Sequence, residues 1–136
     1  GSMFTNINAA IAIPQFPSLS GNFSRRDDIR LKYCKVIDSN NKLNYSKQDQ
    51  ENVVYSNYFF TILSSERDQL AKYLKDNGVY TTFRYFPLHE IDLFRSYSVK
   101  NIDGARQFSE TALNIPIHHN LSDADVDVIS GLLSRW

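Results

Sequence analysis

Apolar positions in this chain switch between continuous runs and a spacing of three to four, and the switch is sharpest between residues 52 and 89. Val53-Val54-Tyr55 and Tyr58-Phe59-Phe60-Thr61-Ile62-Leu63 are dense in β-branched and aromatic side chains, which fit a pleated sheet and predict a strand. Leu70, Ala71 and Leu74 then recur at helical spacing. Ser65 and Asp68 stand three apart, as a capping box requires, so a helix of about three turns is expected there. Gly78 is suited to the left-handed conformation that closes a helix. Val79 to Phe86 return to strand-forming residues before Pro87 stops them. The unit is strand, helix, strand, and a turn carrying Pro87-Leu88-His89.

The flanks follow the same logic. Residues 9–13 are uniformly apolar, and Pro14 and Pro17 come next. Proline costs a helix interior ~3 kcal/mol, so a short helix ending near Ile13 and an extended piece through Leu19 are predicted. An apolar helix at a chain end needs something to pack on, which reads as the inside edge of a larger protein. Ser24 with Asp27 forms a second capping-box pattern ahead of Ile29, Tyr33, Val36 and Ile37, predicting a helix from about Arg25 to Ile37. Residues 38–50 are polar and rich in turn formers, as in a surface loop. Ile91, Leu93, Phe94 and Tyr97 suggest a short amphipathic helix or turn. Ala105, Phe108 and Ala112 mark one face of a helix starting near Asn101. Residues 113–119 are extended, with Pro116 pointing to an edge strand or a strand end. A third capping box, Ser122 with Asp125, precedes the stripe Val126, Ile129, Leu132 and Leu133 of a closing helix. The expected fold is α+β: a small, mainly antiparallel sheet with helices packed on one face.

Bulk properties narrow the function classes. The 136 residues suit one domain with a true core. Lys plus Arg and Asp plus Glu both number 15, so no net field recruits nucleic acid or an anionic membrane, and neither is an expected partner. No apolar run of ~20 residues or leader pattern is present. The single Cys34 excludes an internal disulfide framework and a thiolate zinc site. A reducing, cytoplasmic setting is the expectation. Gly1-Ser2 reads as a cloning scar.

Candidate chemistry is sparse. Of the three histidines, His118 and His119 are adjacent and would face opposite sides of an extended segment, a poor metal pair. No metal site is expected. His89, beside a proline turn and near Arg84 and Tyr85, suits either a binding role or a structural one at a strand end. Arg84 lies in an otherwise apolar and aromatic run. Facing a cleft, its guanidinium can grip a phosphate or carboxylate; at a sheet edge it simply snorkels to water. The acidic residues concentrate in helix first turns, where the dipole explains them, and no nucleophile elbow, phosphate loop or dinucleotide fingerprint occurs. No catalytic residue is assigned.

Five blocks, in order, carry a resemblance to a known family. Thr5-Asn6-Ile7-Asn8-Ala9-Ala10-Ile11-Ala12-Ile13-Pro14-Gln15-Phe16 resembles the "TN-I-x-AAI-G-x-A-QL" stretch of the DegT/DnrJ/EryC1/StrS sugar aminotransferases, at the hinge between their large and small domains, and Arg25-Arg26 match the "RR" that follows. Ser65-Glu66-Arg67-Asp68-Gln69-Leu70 with Asn77-Gly78-Val79 is similar to "x-x-R-D-x-L-x-x-x-L-x-x-x-G-I". Tyr85-Phe86-Pro87-Leu88-His89 resembles "HY-x-PLH", and Ala112 to His118 resembles "L-S-LP-I/L-H" before Leu121-Ser122. The resemblance implies fold-type I enzymes in which pyridoxal phosphate serves to move an amino group onto a keto sugar carried by a nucleoside diphosphate. It also implies a homodimer. The family's cofactor lysine and its acidic partner belong to the large domain, and none of the seven lysines here stands in a similar context.

The implied arrangement is residues 1–23 as scar, hinge helix and linker to the large domain, and 24–136 as the C-terminal small domain. Arg84, Tyr85 and His89 carry over as substrate-cleft lining, although Arg84 replaces the family's usual His, and Pro14 replaces a small hinge residue. No cofactor is expected on this chain alone, nor activity. Two other readings stand beside this one. A non-enzymatic or regulatory module could reuse the domain and pair with a separate large-domain chain. A free-standing small-molecule binder would need a closed pocket lined from this chain alone.

Overall fold

The computed structural model describes residues 4–47, 51–97 and 102–136. In chain order these form α1 (Asn6–Ala12), a 3-10 segment (Ile13–Ser18), α2 (Leu19–Ile37), β1 (Asn44–Tyr45), β2 (Phe60–Leu63) and α3 (Arg67–Asp76). Two further 3-10 segments follow (Leu88–Glu90 and Asp92–Tyr97), then α4 (Asp103–Thr111), β3 (Ala112–Ile115) and α5 (Asp123–Arg135). The sheet runs β1-β2-β3, and both pairings are antiparallel. Phe60 lies opposite Ile115 and Leu63 opposite Ala112, while Asn44 lies opposite Leu63. The α+β expectation holds.

The core forms where the helical stripes meet the β2–β3 pair. Ile29, Tyr33 and Ile37 of α2, Leu70 and Leu74 of α3, and Val126, Ile129, Leu132 and Leu133 of α5 are buried with Phe60, Ile62, Leu113 and Ile115. Each such side chain contributes about 1.5–3 kcal/mol. The ring of Tyr33 meets Phe60 edge-on at 5.5 Å, and its hydroxyl donates to the carbonyl of Pro116 at 3.0 Å. Because side chains alternate along a strand, Thr61 and its partner Asn114 share the opposite face, and the Thr61 hydroxyl donates to Asn114 Oδ1 at 2.7 Å. That buried pair satisfies two polar groups which would otherwise be costly.

Of the three capping boxes, the structure forms the one at Ser122. Ser122 Oγ accepts from the amide of Asp125 at 3.1 Å, and Asp125 Oδ2 accepts from the amide of Ser122 at 3.0 Å. Ser24 instead lies inside α2. Pro14 and Pro17 end α1 without extending the chain, because 3-10 turns accommodate them and carry it on to Leu19. Asp27 consequently turns sideways, accepting from Arg30 Nε at 2.7 Å and from Asn57 Nδ2 at 3.2 Å. At the third box Ser65 makes no cap. Ser64 Oγ accepts from the Glu66 amide at 3.1 Å, and Asp68 pairs with Arg67.

Both long strands around α3 prove shorter than their composition suggests. Residues 53–59 are not strand: Asn52 and Asn57 hold φ of 62° and 46°, and Val54 is 86 % exposed. β1, hidden in the polar loop after α2, offers only two residues to pair with β2. After Gly78, whose φ of 81° closes α3 as expected, residues 79–86 make a single bridge, Thr82 to Asn114. A strand-forming sequence without a neighbouring strand leaves its amides to water. The extended piece after α4 ends as strand at Ile115, with Pro116 as its terminator. α4 begins at Asp103, and Asn101, where the sequence placed its start, lies outside the described residues.

Candidate functional site

Residues 82–97 leave the sheet at Thr82 and cross the surface without a partner strand. The Thr82 amide donates to the Asn114 carbonyl at 3.0 Å, and the Asn114 amide returns the bond at 2.8 Å. One residue on, Phe83 lies under the Arg67 guanidinium, with 5.0 Å from its central carbon to the ring centroid. Arg84 then turns to solvent, where its Nη1 donates to the hydroxyl of Tyr58 at 3.5 Å. The Tyr58 and Tyr85 hydroxyls, in that order of effect, hold the Arg84 guanidinium above its ordinary pKa. The cation is permanent at any working pH. Tyr85 is 77 % exposed.

At the far end, Pro87 is buried, and the Glu90 amide donates to the Pro87 carbonyl at 3.0 Å, closing a 3-10 turn. His89 sits in that turn with only 15 % of its side chain exposed, and its Nε2 lies 3.7 Å from Glu90 Oε1 without a hydrogen bond. The same carboxylate oxygen faces Arg106 Nε of α4 at 3.3 Å. Thus Arg84 and Tyr85 act as one exposed group with Tyr58, and His89 belongs to a second group with Glu90 and Arg106. Arg84, Tyr85, His89 and Glu90 lie along one segment that also exposes Phe86, Leu88 and Leu93, while Tyr58 and Arg106 reach it from elsewhere in the chain. Exposed apolar side chains and a permanent cation thus alternate along one stretch of surface.

Tyr58, Glu90 and Arg106 did not stand out in the sequence. Tyr58 reads there as strand, and the Glu90–Arg106 pair spans a separation that no local spacing rule reaches. Grooves also lie elsewhere, and two of them carry polar linings. One of about 510 Å³ opens between the β1 turn and α4, with Lys42, Asn44, Ser64 and Gln107 among its lining. The other, of about 270 Å³, includes Arg30, Cys34, Tyr45 and Tyr58. Neither includes Arg84, Tyr85 or His89, and both are open. Burial pushes the Cys34 thiol up, which makes it a poor nucleophile. Among the described residues no group of three or more His, Cys, Asp or Glu could hold a metal, and no helix is long and apolar enough to cross a membrane.

Comparison with known proteins places the chain in a family. The sequence profile of the DegT/DnrJ/EryC1/StrS aminotransferase family matches residues 2–133. The chain belongs to that family. Among curated relatives, the dTDP-4-dehydro-2,3,6-trideoxy-D-glucose 4-aminotransferase of Saccharopolyspora spinosa is 28 % identical over 127 residues, covering 92 % of this chain and 32 % of the relative. Among solved structures, the aminotransferase TlmJ from Streptoalloteichus hindustanus superposes with a TM-score of 0.86 at 32 % identity, covering 95 % of this chain and 35 % of TlmJ. DesV from S. venezuelae, solved with a ketimine intermediate, shares the fold with a TM-score of 0.87 at 19 % identity, over 95 % and 35 % of the two chains. The chain therefore spans about a third of the length of the relatives it matches.

The family uses pyridoxal phosphate, and a lysine must stand in a cleft opposite an acidic partner to hold it. The six described lysines are all exposed. Lys32 pairs with Asp123 and Asp127, Lys42 donates to the Trp136 carbonyl at 3.1 Å, and Lys72 pairs with Asp76. None of these pairings involves the 84–89 segment.

Proposed function

We propose that this chain is the C-terminal small domain of a pyridoxal-phosphate-dependent aminotransferase acting on a nucleotide-linked keto sugar, contributing one wall of the substrate cleft and supporting a dimer. The observation that carries this reading is the 84–89 segment, which presents a permanent cation beside the exposed rings of Tyr85 and Phe86, in a chain that covers a third of its aminotransferase relatives. Residues 24–136 form the small domain, and the stretch before them is the hinge to a large domain, in the same parent chain or a separate one, which holds the cofactor. The work is cytoplasmic, in keeping with one buried thiol and no disulfide.

In this reading Arg84 grips an anionic group of the sugar nucleotide, with Tyr58 orienting its guanidinium. Tyr85 supplies a flat apolar face with a hydroxyl at its tip. His89 lines the deeper end. The test is a titration of the isotopically labelled chain with dTDP, the nucleotide named in the Saccharopolyspora relative, followed by backbone NMR. Shift changes confined to residues 84–89 and abolished in Arg84→Ala are expected. Unmoved signals at these residues up to millimolar dTDP would refute the cleft-wall role.

A further inference from the structure

None of the residues of α4 is buried. Hydrophobic burial therefore does not hold it in place, and its polar ties matter correspondingly more. Two of those ties reach the candidate site, one at each end. At its C-terminus, Arg67 Nη1 donates to the Ser109 carbonyl at 3.0 Å and lies 3.4 Å from that of Ala112. Carbonyls in a last helical turn lack intrahelical partners, so a cation is well placed there. The same guanidinium, only 19 % exposed as a side chain, stacks on Phe83, the residue before Arg84. Toward its N-terminus, Arg106 faces the Glu90 carboxylate that lies against His89.

From this we infer that α4 is a strut for the 83–90 segment, with Arg67 and Arg106 as positioning residues that fix its two ends through Phe83 and Glu90. Phe83 links Arg67 to Arg84 and Tyr85; Glu90 links Arg106 to His89. In this role both arginines act through these neighbours rather than on a ligand directly. The importance of His89 and Arg84 rests on the cleft-wall reading above, whereas the strut itself is a property of the free chain and is measured without nucleotide.

Two amides report the two ends: Thr82, bonded to Asn114, and Ile91, which donates to the Leu88 carbonyl at 3.1 Å. Hydrogen exchange is followed in Arg106→Glu, in the charge-swapped Glu90→Arg with Arg106→Glu, in Phe83→Leu and in Phe83→Tyr. Arg106→Glu places two carboxylates together, so exchange at Ile91 should rise roughly two- to five-fold, the scale of one exposed ion pair, while α5 amides stay unchanged. The swapped pair should return Ile91 to the starting rate. Phe83→Leu should speed Thr82, and Phe83→Tyr, which keeps a ring under Arg67, should not. Wild-type rates in Arg106→Glu, or a swapped pair as fast as the single variant, would overturn the strut, as would equal behaviour of Leu and Tyr at position 83. These results do not depend on whether dTDP binds.

Discussion

Replacing Tyr33 with phenylalanine should give a stability loss that shrinks as the solution becomes alkaline. The side chain is fully buried between α2 and the sheet, and its hydroxyl donates to the Pro116 carbonyl at 3.0 Å. Removing it forfeits a hydrogen bond and leaves that carbonyl unsatisfied, a cost of about 1–2 kcal/mol near neutral pH. The ring remains, and with it the edge contact to Phe60. Burial pushes the Tyr33 hydroxyl well above the ordinary tyrosine range, because a phenolate there would lose its hydration.

The sign of the pH dependence follows from proton counting. Below pH ~10 both folded and unfolded chains keep this proton, and the hydroxyl contributes its full share. Above that, the unfolded chain releases the proton while the folded chain retains it, so the unfolded state binds fewer protons and stability falls by up to ~1.4 kcal/mol per pH unit. The decline ends only beyond the raised folded pKa. The phenylalanine variant has no such proton. Urea unfolding of both proteins at pH 8, 10 and 11 measures the difference directly. We expect the wild type to lead by about 1–2 kcal/mol at pH 8 and the gap to close by about 1 kcal/mol at pH 11. A gap that stays constant from pH 8 to 11 would refute the burial of this hydroxyl.

Two further outcomes test the architecture. Ser122→Ala should cost about 1 kcal/mol in urea unfolding, since Ser122 closes the capping box of α5, whereas Ser24→Ala and Ser65→Ala should stay within about 0.5 kcal/mol because neither caps a helix. Phe4, Ile7, Ile11, Ile13 and Phe16 are 62 to 74 % exposed with no buried residue in α1 or the segment after it, so light scattering should find the chain self-associated and Ile7→Ser with Ile11→Ser should return it to a monomer.

The elements that could be read from sequence were those whose signals are local and whose partners are in the core. Val126, Ile129, Leu132 and Leu133 predict α5 because a single stripe and a single cap settle it, and all four are buried. Gly78 marks the end of α3 because a φ of 81° is a property of one residue. Strand lengths failed for the opposite reason. Val53-Val54-Tyr55 and Phe83-Arg84-Tyr85-Phe86 have strand composition, but a strand exists only where a second backbone lies alongside, and β1 supplies two residues. The proline rule failed at Pro14 and Pro17 because a 3-10 turn meets the same constraint as an extended segment.

The site divides the same way. Arg84 and His89 stand out in the sequence by their local context and Tyr85 by a block of resemblance, and the structure sets Arg84 and Tyr85 beside Tyr58 and sets His89 beside Glu90. What orients them comes from further along the chain. Arg67 reaches 42 residues to Ser109, and Arg106 meets Glu90 across a stretch that includes α4's own first turn. Such pairs carry no periodicity, since each partner sits on its own element, far from the other in sequence. An exposed ion pair such as Glu90–Arg106 contributes little to global stability, about 0–1 kcal/mol. The placement of these pairs at both ends of one surface segment is explained when that segment has a geometry to hold, and the charge-swapped Glu90–Arg106 pair separates that explanation from chance.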